Sequence, residues 1–126
     1  MPYETFWDDA HPDTIIIKAT PPKDWESFHL ACGEAIEMAT AHGKPLGVIF
    51  DVTNAPEPAG KNTLLNLRTQ AARLPTNIHA VVVVGYSTVG RTFLDIIGIV
   101  FGERYRAVDT LDEAYDIVAE RVAAAR

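Results

Sequence analysis

The stretch that decides the fold is HAVVVVGYSTVGRTFLDIIGIVF, residues His79 to Phe101. It contains four consecutive valines that end at Gly85, then a short polar turn, and it becomes strongly apolar from Phe93 onward. A run of β-branched residues between turn residues predicts a strand buried on both faces, as in the centre of a largely parallel sheet. We therefore expect a central strand, followed by a helix that crosses back over the sheet.

Further strands and helices are predicted on both sides of that unit. Alternating or continuous apolar runs predict strands in YETFWDD, TIIIKAT, LGVIFDV and RYRAVDT, and helical spacing predicts helices over residues 24–43, about 62–74 and 111–122. The resulting order is β-β-α-β-α-β-α-β-α. It predicts one α/β domain over residues 1–126, with a mixed, mostly parallel five-stranded sheet and helices packed on it.

Several residues predict where the helices begin and end. Asp24 is placed to cap the first helix and Gly43 to close it, while Pro75 terminates the second. Thr110 and Glu113 have the spacing of a capping box for the last helix. The arginines of RYRAVDT indicate that this strand lies at an exposed edge of the sheet.

Composition excludes several classes of protein. The net charge is −6 over 126 residues, and no basic cluster is present, which argues against nucleic-acid binding. Cys32 is the single cysteine, so no internal disulfide can form, and we expect a cytoplasmic protein. The longest uncharged apolar stretch, Ile96 to Gly102, is far shorter than the roughly 20 residues that span a bilayer.

A near match to a phosphate-binding loop lies inside the opening stretch. Gly85, Gly90, Arg91 and Thr92 follow the pattern G-x-x-x-x-G-K-[ST], except that arginine replaces lysine. Arginine is a poor geometric substitute there, and too little chain follows for the remaining strands of a nucleotide-binding domain. We interpret this segment as a strand-to-helix turn and predict no cofactor.

The succession HAVVVVG, an apolar helix, RYRAVDT and LDEAYDIVAERV resembles the C-terminal half of small bacterial STAS domains and SpoIIAA-like proteins. The order of elements along nearly the whole chain is similar to that family as well. The resemblance implies a mixed sheet surrounded by helices. It also implies a protein-binding or ligand-binding role without catalysis.

The family's phosphorylated serine has no direct counterpart in this chain. In the antagonists of that family, a strand corresponding to residues 46–52 ends in Asp-Ser, and the serine accepts phosphate. Here Asp51 keeps the aspartate, Val52 occupies the serine position, and Thr53 comes one residue late. Thr53 and Thr63 are the hydroxyl residues that follow this strand, and their phosphorylation is a hypothesis that rests on position alone.

The helix from Phe93 to Phe101 is apolar nearly all round, so we expect it to be buried on more than one side. One side can rest on the sheet. The other would meet the C-terminal helix, a second subunit or an apolar ligand.

No catalytic or metal-binding constellation is apparent, since the four histidines are scattered and no Cys or His cluster occurs. Asp51 is the best polar candidate because ligands bind at the carboxyl ends of parallel strands. We predict a non-catalytic protein that acts by protein contact, as a homodimer. The alternative is a carrier of an apolar or lipid-like small molecule. The expected ligand or partner surface comprises Asp51, Thr53, Asn54, Lys61, Phe93, Ile97 and Phe101.

Overall fold

The computed structural model describes residues 3–20, 25–53, 63–85 and 91–126, with only the backbone at 63, 64, 91–94 and 97. The predicted order of elements is confirmed. The elements are β1 Tyr3–Trp7, β2 Thr14–Ala19, α1 Trp25–His42, β3 Leu46–Asp51, α2 Thr63–Ala71, β4 Ile78–Val84, α3 Arg91–Phe101, a 3-10 turn Gly102–Arg104, β5 Tyr105–Val108 and α4 Leu111–Ala125.

The five strands form one mixed sheet in the order β1-β2-β3-β4-β5. β1 pairs antiparallel with β2, and each later neighbour pairs parallel. Because the parallel strands follow one another in a single direction, crossovers of the same hand place α1, α2 and α3 on one side of the sheet. α4 comes after the last strand and packs on the opposite side.

The two sides of the sheet have separate cores. Along β4, Val81 and Val83 point toward α1–α3, while Val82 and Val84 point toward α4. All four side chains are buried, which confirms that the valine strand is covered on both faces. We call these faces the three-helix side and the α4 side.

α4 begins and packs as its sequence predicts. The side chain of Thr110 accepts a hydrogen bond of 3.2 Å from the backbone N–H of Glu113, which is half of the capping box. Its buried stripe consists of Ala114, Val118 and Val122. A Cβ on Gly47 of β3 would lie only 2.7 Å from Cγ1 of Val118, so the absent side chain lets α4 approach the sheet.

Two helix boundaries can be compared with their predictions. α1 ends where Gly43 adopts a φ of +69°, as expected for a glycine that closes a helix. α2 ends at Ala71 instead of Leu74. The N–H groups of Arg73 and Leu74 bond to carbonyls three residues back, which tightens the last turn before Pro75. Asp24, the predicted cap of α1, lies outside the described residues.

α3 packs against α2 and β5 on the three-helix side. Because α4 lies on the other side of the sheet, it does not cover α3, which rules out the first of the three covers considered for that helix: the C-terminal helix, a second subunit or an apolar ligand. Among the residues that the structure describes, no helix is long and apolar enough to cross a membrane.

Candidate functional site

Asp51 and Thr53 form a turn at the carboxyl end of β3. Oδ1 of Asp51 accepts hydrogen bonds from the backbone N–H of Thr53, at 3.1 Å, and from its hydroxyl, at 2.7 Å. Val52, which occupies the family's serine position, is buried in the core of the three-helix side. Asp51 therefore caps the end of its own strand, and the exposed hydroxyl nearest the family's phosphorylation position is that of Thr53.

The carboxyl ends of three strands meet beside this turn. The N–H of Val52 donates to the carbonyl of Val84 at 2.9 Å, and the N–H of Gly85 donates to that of Val108 at 3.0 Å. Gly85 packs closely on the turn, since a Cβ there would lie 3.0 Å from the backbone nitrogen of Thr53. This is the end of a parallel sheet where α/β proteins bind ligands. Residues 86–90 of the phosphate-loop-like segment lie outside the described residues.

The residues predicted to form one surface are only partly brought together. Asp51 contacts Thr53, but the alternation of side chains along β3 places Asp51 on the α4 side, whereas Phe101 packs into the core of the three-helix side. Asn54 and Lys61 lie outside the described residues. Phe93 and Ile97 belong to α3 by their backbone, and their side chains are not described.

Among the described side chains of α3, Ile99 is the exposed large apolar one, and sequence reasoning did not single it out. Its side chain is 74% exposed. Leu65 on the neighbouring α2 is 64% exposed, and Leu30 on α1 is 58% exposed. Among the side chains that the structure describes, each helix of the three-helix side thus presents one large aliphatic residue that is more than half exposed. A signal was present in the sequence, because Asp95 and Ile99 are four residues apart and so share one face of the helix.

A small apolar cavity lies beneath the three helices. Its volume is about 20 Å³, and its lining includes Cys32, Leu74 and Phe101. A cavity of that size has room for about one water molecule and is too small for any larger ligand. Burial raises the pKa of Cys32 to about 12, although the charge of Arg73 opposes the shift. The thiol is therefore protonated at neutral pH and is a weak nucleophile.

A polar cluster on the α4 side ties the β1–β2 loop to α4. The Tyr115 hydroxyl donates to Oδ2 of Asp8 at 2.6 Å. Oδ1 of Asp8 accepts from Nδ1 of His11 at 3.1 Å and from the backbone N–H groups of Ala10 and His11. The imidazole of His11 stacks on the ring of Tyr115, with 3.5 Å between the ring centroids.

The charges in this cluster reinforce the same arrangement. Burial acts to raise the pKa of Asp8, but the hydrogen bonds from Tyr115, His11 and Ala10 outweigh it, so that pKa lies below its ordinary value of 3.8. Burial, the hydrogen bond to Asp8 and nearby carboxylates raise the pKa of Tyr115 to about 12. Asp8 is thus ionised and Tyr115 is neutral near pH 7, as their hydrogen bond requires.

A second polar network joins α1 to α2. Nε2 of His29 lies 2.8 Å from Oδ1 of Asn66, and Nδ1 of His29 lies 2.5 Å from Nε2 of Gln70. Because an amide NH₂ can only donate, Nδ1 accepts and Nε2 carries the proton. Oε1 of the buried Gln70 accepts from Arg73 at 3.3 Å. Both ring nitrogens of His29 are therefore engaged within the fold, and the network fixes α2 against α1.

Metal ligands are not clustered in the described ranges, where no group of three or more His, Cys, Asp or Glu side chains could hold an ion. In comparisons with known proteins, no family model, no curated protein and no solved structure matches this chain. The resemblance to STAS domains thus remains a prediction from the order of elements, which the α/β architecture accommodates.

Proposed function

We propose that this chain is a non-catalytic, STAS-like cytoplasmic protein that acts by contact with another protein, and that the partner binds the outer surface of α2 and α3. The observation that carries the proposal is the exposure of Ile99, at 74%, on a helix that packs against α2, where Leu65 is 64% exposed. Large aliphatic residues on adjacent helices are typical of the apolar centre of an interface.

The opposite side of the molecule supports this choice by contrast. α4 is described over its whole length, and its exposed positions are small or charged, among them Asp112, Glu113, Asp116 and Glu120. On the three-helix side, the exposed positions next to Leu65 and Ile99 include one cation, Arg68, and one anion, Asp95. A partner with an apolar centre and a mixed polar rim fits that surface.

The carrier alternative places different demands on the fold. An apolar or lipid-like molecule held beneath α3 would need the helix to move outward, because the cavity there is about 20 Å³. Contact with a protein at the outer surface of α3 requires no such movement. This difference favours the binding protein over the carrier.

Matched serine substitutions test the proposed surface. We expect Leu65→Ser and Ile99→Ser to weaken capture of the native partner from cell extract by tagged protein, since burying an aliphatic side chain contributes about 1.5–3 kcal/mol, or roughly tenfold or more in affinity. Leu30→Ser on α1 is the control, because it removes a leucine of similar exposure from a different helix. If Leu30→Ser loses the same proteins, or if neither α2 nor α3 variant loses any, the proposal is wrong.

A further inference from the structure

β1 forms one edge of the sheet, and its backbone geometry shows which groups face outward. The N–H of Asp8 donates to the carbonyl of Thr14 at 2.9 Å, so residues 8 and 14 form a hydrogen-bonded pair of the antiparallel ladder. Because such pairs alternate, Phe6 and Glu4 also bond to β2, and Thr5 and Trp7 direct their N–H and C=O groups away from it. Within the described ranges, no strand pairs with this outer edge.

The side chains of β1 leave this edge unusually apolar. Phe6 is 40% exposed and Trp7 is 36% exposed. Glu4 is the one charged residue of the strand. Exposed edge strands normally carry charges, proline or a bulge, because an unprotected edge pairs with another strand.

We propose that β1 pairs antiparallel with β1 of a second copy of this chain, in a register centred on Thr5, to form a two-fold symmetric dimer. The sheets of the two copies then join into one. This inference rests on the strand edge and is independent of the partner surface on α2 and α3.

Charge favours that register over the two adjacent ones. Centring the pair on Glu4 would place Glu4 against its own copy, and centring it on Phe6 would place Glu4 against Asp8 of the second copy. Like charges directly opposite each other on neighbouring strands are destabilising. Centring on Thr5 instead places Glu4 opposite Phe6, and Thr5 opposite Thr5 with two backbone hydrogen bonds between them.

Side-chain packing agrees with the same register. The side chains of Glu4 and Phe6 point to the α4 side, since Thr5 bonds to the carbonyl of Ala31 in α1 and Trp7 contacts His42 of the same helix. The two copies of Phe6 become diagonal neighbours, which lie within reach of aromatic rings. Each would cover apolar surface that the single chain exposes.

The other edge of the sheet explains why the assembly closes as a dimer. Pairing of β1 with β5 of the next copy would be a head-to-tail contact, which builds a ring or a filament and not a two-fold dimer. β5 has two arginines at or beside it, and Nη1 of Arg106 donates to the carbonyl of Tyr105 at 2.7 Å. One outward carbonyl of β5 is therefore already bonded to a side chain of its own strand, and this favours self-pairing of β1 over pairing with β5.

Solution mass tests the dimer, with Thr5→Pro as the decisive variant. We expect the wild-type chain to have twice its mass of 13.8 kDa by analytical ultracentrifugation. Proline at position 5 removes an outward N–H, which an edge strand tolerates, and should halve the mass. Thr5→Val is the control, since it loses the side-chain bond to Ala31 but keeps the backbone, and it should remain dimeric. A monomeric wild type, or a dimeric Thr5→Pro, overturns the proposal.

A second pair of variants tests the β1–β1 interface if Thr5→Pro does not fold. Phe6→Glu places like charges opposite each other twice in the dimer, and Phe6→Lys places opposite charges there. Both lose the same aromatic ring, so their difference reports the register. We expect Phe6→Glu to dissociate at about tenfold higher concentration than Phe6→Lys. Equal dissociation constants, or the reverse order, would overturn the register and with it the proposed interface.

Discussion

The two edge strands of the sheet, β1 and β5, differ in their charged residues and in the apolar side chains that they expose. β5 has four residues, follows a 3-10 turn, and has Arg106 donating to a backbone carbonyl of its own strand. β1 has five residues, a single charge, and two aromatic side chains that are more than a third exposed. Arg106 thus engages one outward carbonyl of the β5 edge, whereas the β1 edge has little charge and exposes two aromatic side chains.

This difference indicates two kinds of contact surface on the molecule. The surface on α2 and α3 offers apolar side chains, whereas β1 offers backbone hydrogen bonds in a fixed register. The two surfaces suit different partners: another protein for the helices, and an identical strand for the edge.

The largest expected effect comes from removing the protection of β5. In Arg106→Thr, the carbonyl of Tyr105 loses its side-chain donor, so β5 becomes able to accept a neighbouring β1. We expect species larger than the dimer to appear with rising concentration, measured by light scattering. Arg68→Thr on α2 is the control, since it removes the same charge far from either edge. Identical behaviour of the two variants would show that Arg106 does not protect β5.

A smaller effect is expected where the end of β1 is fixed to α4. Tyr115→Phe removes the 2.6 Å hydrogen bond to Asp8, the residue that follows β1, and should lower the free energy of unfolding by about 1 kcal/mol at neutral pH. The dimer mass should not change, because the outward groups of Thr5 and Trp7 remain.

The pH dependence of that effect has a definite sign. The pKa of Asp8 lies below its ordinary value of 3.8 in the folded chain, so the ionised carboxylate stabilises the fold at pH values above 3.8. This contribution is lost as the pH falls through the pKa that Asp8 has in the folded chain. The free energies of unfolding of wild type and Tyr115→Phe, measured with urea, should therefore converge as the pH is lowered through this range. If the difference between the two free energies of unfolding stayed constant with pH, the Tyr115–Asp8 hydrogen bond would not lower the pKa of Asp8.

The smallest effect is expected at the helices. Ile99→Glu should leave the solution mass unchanged and alter the free energy of unfolding by less than about 0.5 kcal/mol, because Ile99 is 74% exposed. Sedimentation and urea unfolding measure both quantities. A monomeric Ile99→Glu would move the dimer contact from β1 to α3.

Local patterns were sufficient to predict the elements and the two edge strands of the sheet. The valine run, the helical spacing and the capping box act over a few residues, and the arginines around β5 correctly indicated an exposed strand. The side on which each helix packs depends on the strand order, which no local pattern contains. For that reason the sequence left α4 open as one of three covers for α3, and the structure excludes it.

The candidate surface was harder to predict, because its residues come from two separate stretches of the chain, 51–61 and 93–101, and the sheet has two faces. Asp51 and Phe101 lie on opposite sides, since successive residues of a strand alternate between faces. The contact between Asp8 and Tyr115 joins residues 107 apart, and neither residue carries a motif that indicates the other.

Amide hydrogen exchange at Thr5 and Trp7 tests the pairing of β1 most directly. Both amides point away from β2, so in an isolated chain they exchange with solvent, whereas in the dimer they are covered by the second strand. We predict slow exchange at concentrations where the mass is dimeric, becoming fast on dilution as the mass halves. Fast exchange at concentrations where the dimer is fully formed would contradict the β1 interface.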